Sequence, residues 1–266
     1  MAVAYKGNIV FGLVQIPVTL HTATRDLDVR FNQLHRGDHR RIRYKKVCGH
    51  CQKEVTGKDI VRGFEYADDK FVIITDEDLA RVKTPADRTV TILQFVDRGA
   101  VSPVYFDRTF HAAPTAGGEK AYRVLADAMR GTHTAALCRT VMDHRDTLVL
   151  LVPDEEGILA ETLFYDEEVR RLPKIAPTEA PGAGELKMAK TLIGRMKAPF
   201  QPEQYHDEYR KRLKRMIEDK IAGKRPKLSR PQRPSNVIEL GDALRASVQE
   251  TPARGRGRAG KPVTPA

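Results

Sequence analysis

The chain has 266 residues, 41% of them hydrophobic and 30% charged, with a formal net charge of +11. It suits one large domain with appendages, or two small ones, built on a real core. It excludes a membrane span of roughly 20 apolar residues, a signal-peptide h-region and, with three cysteines, a disulfide framework.

Residues 5–24, YKGNIVFGLVQIPVTLHTAT, predict two β-strands. Gly12 marks a sharp bend within the apolar run, and Pro17 marks an edge or a strand start. Val29 to Leu34 is a further short strand candidate. Next comes His35 to Cys51, HRGDHRRIRYKKVCGHC. Within it Arg41, Arg43 and Lys45 alternate with Ile42 and Tyr44, which is the strand period. Same-face neighbours on a strand lie about 6.6–6.8 Å apart, and phosphates advance about 3.4 Å per nucleotide. Such a row can track a phosphate backbone without reading bases. It equally suits a solvated edge strand protected by charge.

Asp59–Tyr66 and Phe71–Ile74, joined by an Asp68-Asp69 turn, predict a hairpin. Thr75 caps a short helix whose acids Asp76, Glu77 and Asp78 suit the positive end of the helix dipole. Strands are expected at Thr89–Phe95 and Val104–Phe106, a helix at Glu119–Met129, and strands at Ala135–Met142, Thr147–Val152 and Gly157–Tyr165. Many short strands and few helices predict an α+β chain with a barrel or sandwich core.

At Pro173 a Pro/Ala/Gly-rich stretch predicts a linker or extended crossing. Helices follow at Glu185–Lys197 and from Pro199 to Gly223, the second striped by Tyr205, Tyr209, Leu213, Met216, Ile217 and Ile221. Lys224–Ser235 is basic and punctuated by Pro. Asn236–Gln249 is an amphipathic island whose Val237, Ile238, Leu240 and Leu244 share a face, the pattern of a helix docking in a partner's groove, with a helix folding back onto its own core as the alternative. The chain ends in a basic, Gly-rich tail.

The charge along this chain is segregated. Residues 1–63 hold 12 Lys/Arg against 5 Asp/Glu, and residues 207–234 hold 11 against 4, around an acidic middle. That distribution suits a polyanion such as nucleic acid better than a membrane surface, for which the basic segments lack large apolar anchors. No GxGxxG, P-loop or GxSxG motif is present, and no nucleophile–base pair falls at a useful spacing, so no enzyme is expected. Cys48 and Cys51 form a CxxC. Zinc would need two further ligands, which His35 and His39 can supply at HxxxH spacing; a reduced, metal-free turn is the alternative. Hence a second reading, a monomeric zinc-dependent nucleic-acid-binding adaptor.

Together the stretches GNIVFGLVQIPVTLHTAT, RIRYKKVC, DIVRGFEY, TDEDL, VSPVYFDRTFHAAP, GGEKAYRVLADAM and NVIELGDALRASV resemble the bacterial Ku family, the DNA-end-binding proteins of non-homologous end joining. The resemblance implies a β-barrel core over residues 1–175, with an extended DNA-encircling bridge at about 36–63. It implies a helical dimerisation arm at 176–223 and a basic tail at 224–266 carrying a ligase-docking helix at 236–249. It further implies a homodimeric ring that threads a double-stranded DNA end and recruits an ATP-dependent DNA ligase, ligase D. On this basis Arg40, Arg41, Arg43, Lys45, Lys46, Lys58 and Arg62 are the expected backbone contacts. No cofactor is required. A cytoplasmic, nucleoid-associated protein is expected.

Overall fold

The computed structural model describes residues 2–82, 88–173, 180 and 182–224. They divide into two units, one through Leu172 and one from Pro173 onward.

The first unit is a closed seven-stranded barrel. Its strands are β1 (Val3–Phe11), β2 (Val14–Thr22), β5 (Thr89–Asp97), β6 (Phe106–Pro114), β7 (Thr134–Met142), β8 (Arg145–Pro153) and β9 (Ile158–Leu163), in the spatial order β1-β2-β6-β9-β8-β7-β5. Six of the seven seams are antiparallel. The seam that closes the barrel, β1 against β5, is parallel and rests on three register pairs: Asn8 with Thr89, Ile9 with Val90, and Val10 with Thr91.

Alternation sets what faces inward. Ile16, Val18 and Leu20 of β2, Phe110 and Ala112 of β6, and Val149 and Leu151 of β8 join one buried cluster with Ile9, Val90, Cys138 and Ala160. Helix α2 (Glu119–Gly131) adds Leu125, Ala126 and Met129 to the same cluster. The Tyr122 hydroxyl pins this helix to a seam: it donates to the Ala112 carbonyl and accepts from the Ile158 amide, both at 2.7 Å. Ala112 and Ile158 are register partners of β6 and β9, so the phenol ties into the end of that ladder. On the other face, Leu150 and Leu163 pack with Ala135 against Val96, Tyr105 and Phe106, which leaves β8 buried on both sides.

The expected strands are present, with corrections. Gly12 turns β1 into β2 at φ +59°. Pro17 lies within β2, opposite Asn8. Its carbonyl accepts from Thr115, just past the end of β6. Its missing amide therefore falls where the β6 ladder has run out. Val104 and Tyr105 belong to a 3₁₀ turn, and β6 begins only at Phe106.

Between β2 and β5 the chain makes a long excursion. It contains the hairpin β3 (Arg62–Ala67) and β4 (Lys70–Ile74) and the helix α1 (Asp76–Val82). The Thr75 cap is as expected: its hydroxyl accepts the Asp78 amide at 3.1 Å, and the Asp78 carboxylate accepts the Thr75 amide at 3.0 Å. None of the described residues 22–82 is buried. Val29–Leu34 is not a strand; only Leu34 forms a single bridge, to Arg41.

The second unit holds α3 (Ala183–Met196) and α4 (Glu208–Ile221). The long helix expected from Pro199 is shorter. Pro202–Gln204 forms a 3₁₀ turn, Phe200 stacks on Tyr205, and α4 starts at Asp207, whose carboxylate accepts the Arg210 amide at 2.9 Å. A good cap, with two aromatics stacked ahead of it, sets the boundary. Neither helix buries a residue.

Candidate nucleic-acid interface

The basic row lies in the excursion, but it is not a strand. Arg41 bridges Leu34 and Val47 bridges Glu54; the residues between them, 42–46, form no ladder. Alternation alone cannot make a sheet when no neighbouring strand supplies hydrogen bonds.

Two tight turns flank the row instead, and they have the same backbone design. In the first, the His35 amide donates to the Arg40 carbonyl and the His39 amide to the His35 carbonyl, at 2.8 and 2.9 Å. In the second, the Cys48 amide donates to the Lys53 carbonyl and the Gln52 amide to the Cys48 carbonyl, both at 2.9 Å. The corner residues are left-handed, His39 at φ 55° and Gln52 at φ 59°. His35 and Asp38 thus occupy the places that Cys48 and Cys51 hold in the second turn. The HxxxH spacing misses this, because His39 is the corner and not the partner of His35. The two turns stand thirteen residues apart, as their bridges Leu34–Arg41 and Val47–Glu54 show, and the residues themselves carry no signal of it.

Each turn fixes a polar pair. His35 Nδ1 meets Asp38 Oδ1 at 2.9 Å. The Arg40 amide and the His35 ring hold the Asp38 carboxyl below its ordinary range. The Cys51 and His50 amides, and the Cys51 thiol, likewise pull the Cys48 thiol down. The zinc set expected at His35, His39, Cys48 and Cys51 is not assembled: among the described residues no three His, Cys, Asp or Glu side chains gather to hold a metal ion.

The seven expected phosphate contacts are all exposed. Lys45 is held by Glu54 at 2.7 Å and Arg62 by Asp76 at 2.7 Å. Arg40, Arg41, Arg43, Lys46 and Lys58 make no ion pair among the described residues. Lys58 sits in a 3₁₀ turn, Gly57–Asp59, where the Asp59 carboxylate accepts from the Thr56 hydroxyl and amide at 2.7 and 2.8 Å. Those bonds hold the Asp59 carboxyl low. The excursion therefore presents, on and between its braced turns, cations that no carboxylate among the described residues neutralises, a surface chemically suited to phosphates and not to reading bases.

Beside the cations lies an apolar surface. Val61, Phe64, Tyr66, Phe71 and Ile73 of the hairpin region are each more than half exposed. The expected docking residues Val237, Ile238, Leu240 and Leu244, and the basic tail, lie outside the described residues. No helix among the described residues is long and apolar enough to cross a membrane.

The family model of the Ku70/Ku80 beta-barrel domain matches residues 10–188, a span that includes the whole barrel from β2 and the excursion. Three proteins named "Non-homologous end joining protein Ku" match almost end to end. That of Lachnoclostridium phytofermentans is 44% identical over 248 residues, 93% of this chain and 96% of its own length. That of Bacillus subtilis is 36% identical over 275 residues, 98% and 88% of the two chains. That of Archaeoglobus fulgidus is 38% identical over 257 residues, 94% and 99%. With a closed barrel interrupted between its second and fifth strands by a basic excursion, and with these matches over nearly its full length, the chain belongs to the Ku family.

Proposed function

We propose that this protein is a non-enzymatic, homodimeric ring that binds double-stranded DNA ends without sequence preference and recruits an end-joining DNA ligase. The observation that carries it is the excursion: five of the seven expected contacts make no ion pair among the described residues, on a segment of tight turns rooted in a barrel, and their chemistry suits phosphates and not bases. Phosphate contacts of this kind supply affinity and register, and sequence does not enter. Selection of ends then comes from topology, because a closed ring admits a duplex only at a terminus.

The dimer is supported by surface that one chain leaves open. An isolated two-stranded hairpin is marginal in water, and β3–β4 exposes Phe64, Tyr66 and Phe71. Helices α3 and α4 also leave Leu186, Ile193, Met196 and Tyr209 exposed. Apolar surface on this scale marks a protein interface. Segment 236–249 is assigned to an ATP-dependent ligase of the ligase D type. No cofactor has a role in the mechanism, and the zinc-dependent adaptor has no assembled ligand set to support it.

The test is a competition between linear and covalently closed duplex, with the mass of the protein measured in solution. A dimer that prefers linear DNA supports the ring. A monomer, or equal binding to circles, refutes it. Deleting residues 236–249 should spare DNA binding and abolish ligase stimulation; surviving stimulation refutes the docking assignment.

A further inference from the structure

The barrel has two rims of different chemistry. The excursion leaves and returns at one of them: the Ala23 amide donates to the Thr109 carbonyl at 3.1 Å, and the Asn8 amide to the Arg88 carbonyl at 2.9 Å. Strand register puts the starts of β1, β5, β6 and β8 and the ends of β2, β7 and β9 at this same rim. The opposite rim carries the β8–β9 turn with Asp154, Glu155 and Glu156.

At the excursion's rim a cleft of about 450 Å³ is lined by Lys6, Arg88, Arg108 and His144, with Asp143 among them and Phe110 in its lining. These side chains come from four separate places: β1, the residue before β5, β6, and the β7–β8 turn. Phe110 is almost fully buried, and the Arg108 guanidinium lies 5.8 Å from its ring centroid. Arg108 also touches Asp107 at 3.3 Å; Lys6 and Arg88 make no ion pair among the described residues. Three permanent cations thus meet at the cleft: Arg108 is shared with Asp107, Asp143 lies among the lining residues, and Lys6 and Arg88 are left without an ion-pair partner among the described residues.

The backbone is adapted to put Arg88 there. Arg88 is left-handed at φ 50°, a strained conformation for a long side chain. Its carbonyl passes so close to Gly7 that a Cβ at residue 7 would lie 2.1 Å away. Only glycine allows that approach.

The geometry points to a phosphate-binding site at this rim, formed by Lys6, Arg88 and Arg108 and continuous with the basic excursion rooted beside it. It rests on the DNA-end reading above and adds to it a contact made by the barrel itself. The shared chemistry is a phosphate oxyanion, supplied either by an internucleotide phosphodiester or by the terminal 5′-phosphate of a break.

The full-length protein is titrated with two otherwise identical linear duplexes, one ending in 5′-phosphate and one in 5′-hydroxyl, across a salt series. Lys6→Gln with Arg88→Gln should reduce the salt slope of log affinity by about two, one per cation removed. Lys6→Arg with Arg88→Lys should restore it. Arg108→Gln, away from the strained backbone, is run alongside and should lower the slope by less than about one unit, because Asp107 already shares the guanidinium. A loss equal on both duplexes assigns the site to the phosphodiester backbone; a loss confined to the 5′-phosphate duplex assigns it to the terminus. Unchanged slopes in a protein that still prefers linear to closed DNA overturn the rim site and leave the end-binding reading standing. A wild type without that preference removes the end-binding reading, and the rim site with it.

Discussion

Replacing Arg41 and Arg43 with Gln should weaken DNA binding most at low salt, and the size of the effect follows from the ion pairs. Five excursion cations, Arg40, Arg41, Arg43, Lys46 and Lys58, are unpaired among the described residues, while Glu54 holds Lys45 at 2.7 Å. Each neutralised phosphate contributes about 0.9 to the slope of log affinity against log salt. Five contacts on one subunit then cost about 500-fold in affinity between 50 and 200 mM salt, whereas the three left in the double variant cost about 40-fold. Glu54→Gln should act in the opposite sense: it releases Lys45 and raises the slope by up to about 0.9. The assay is fluorescence anisotropy with duplexes of several sequences, which should all respond alike. A double variant with the wild-type slope, a loss confined to certain sequences, or a Glu54→Gln protein that binds more weakly would each refute backbone tracking by this segment.

Other outcomes test the fold and its local chemistry. Tyr122→Phe removes two hydrogen bonds at the β6–β9 ladder, about 2 kcal/mol at roughly 1 kcal/mol each, and should lower the melting temperature by about 4–8 °C; a shift under 1 °C would show that the helix is held by packing alone. Gly7→Ala forces a Cβ against the Arg88 carbonyl and should cost about 1–3 kcal/mol in urea unfolding. Iodoacetamide should label Cys48, whose thiol is pulled down by the Cys51 and His50 amides, well before Cys138, whose thiol burial pushes up to about 12; mass spectrometry of the native protein reads the order. The Asp207 carboxyl is held low chiefly by the Arg210 amide. Its folded value lies below its unfolded one, so the cap contributes above the ordinary carboxylate range and is lost as pH falls through the folded value. Helical circular dichroism of the wild type should therefore fall more in acid than that of Asp207→Asn.

Much of the barrel is legible in the sequence because its strands carry their own punctuation. Gly12, the Asp143-His144 corner and the Asp154–Gly157 turn separate runs of strand-forming residues, alternating in β6 and continuously apolar in β8. The Thr75 cap is likewise local and is read correctly, while Asp78, expected only to suit the helix dipole, also accepts the Thr75 amide. Where the contacts are distant, the residues give no warning. Arg41 to Lys45 has strand alternation, yet no strand lies beside it. Asp207 outcompetes Pro202 as the start of α4 because Phe200 and Tyr205 stack ahead of it. The matched turns at His35 and Cys48 show only once the backbone hydrogen bonds are seen, and Glu54 and Asp76 reveal which cations they neutralise only through space. Lys6, Arg88 and Arg108 are scattered through the sequence, and closure of the barrel alone brings them together.

The closing seam between β1 and β5 is short and parallel, three residue pairs long, and the excursion is anchored immediately beside it through Arg88 and Asn8. Mechanical load on the excursion, such as a duplex being dragged past an obstacle, enters the barrel at two roots, beyond β2 at Ala23 and before β5 at Arg88, and the second sits on the shortest ladder. Under tension the molecule should yield there first, peeling β5 from β1 while the longer antiparallel seams hold.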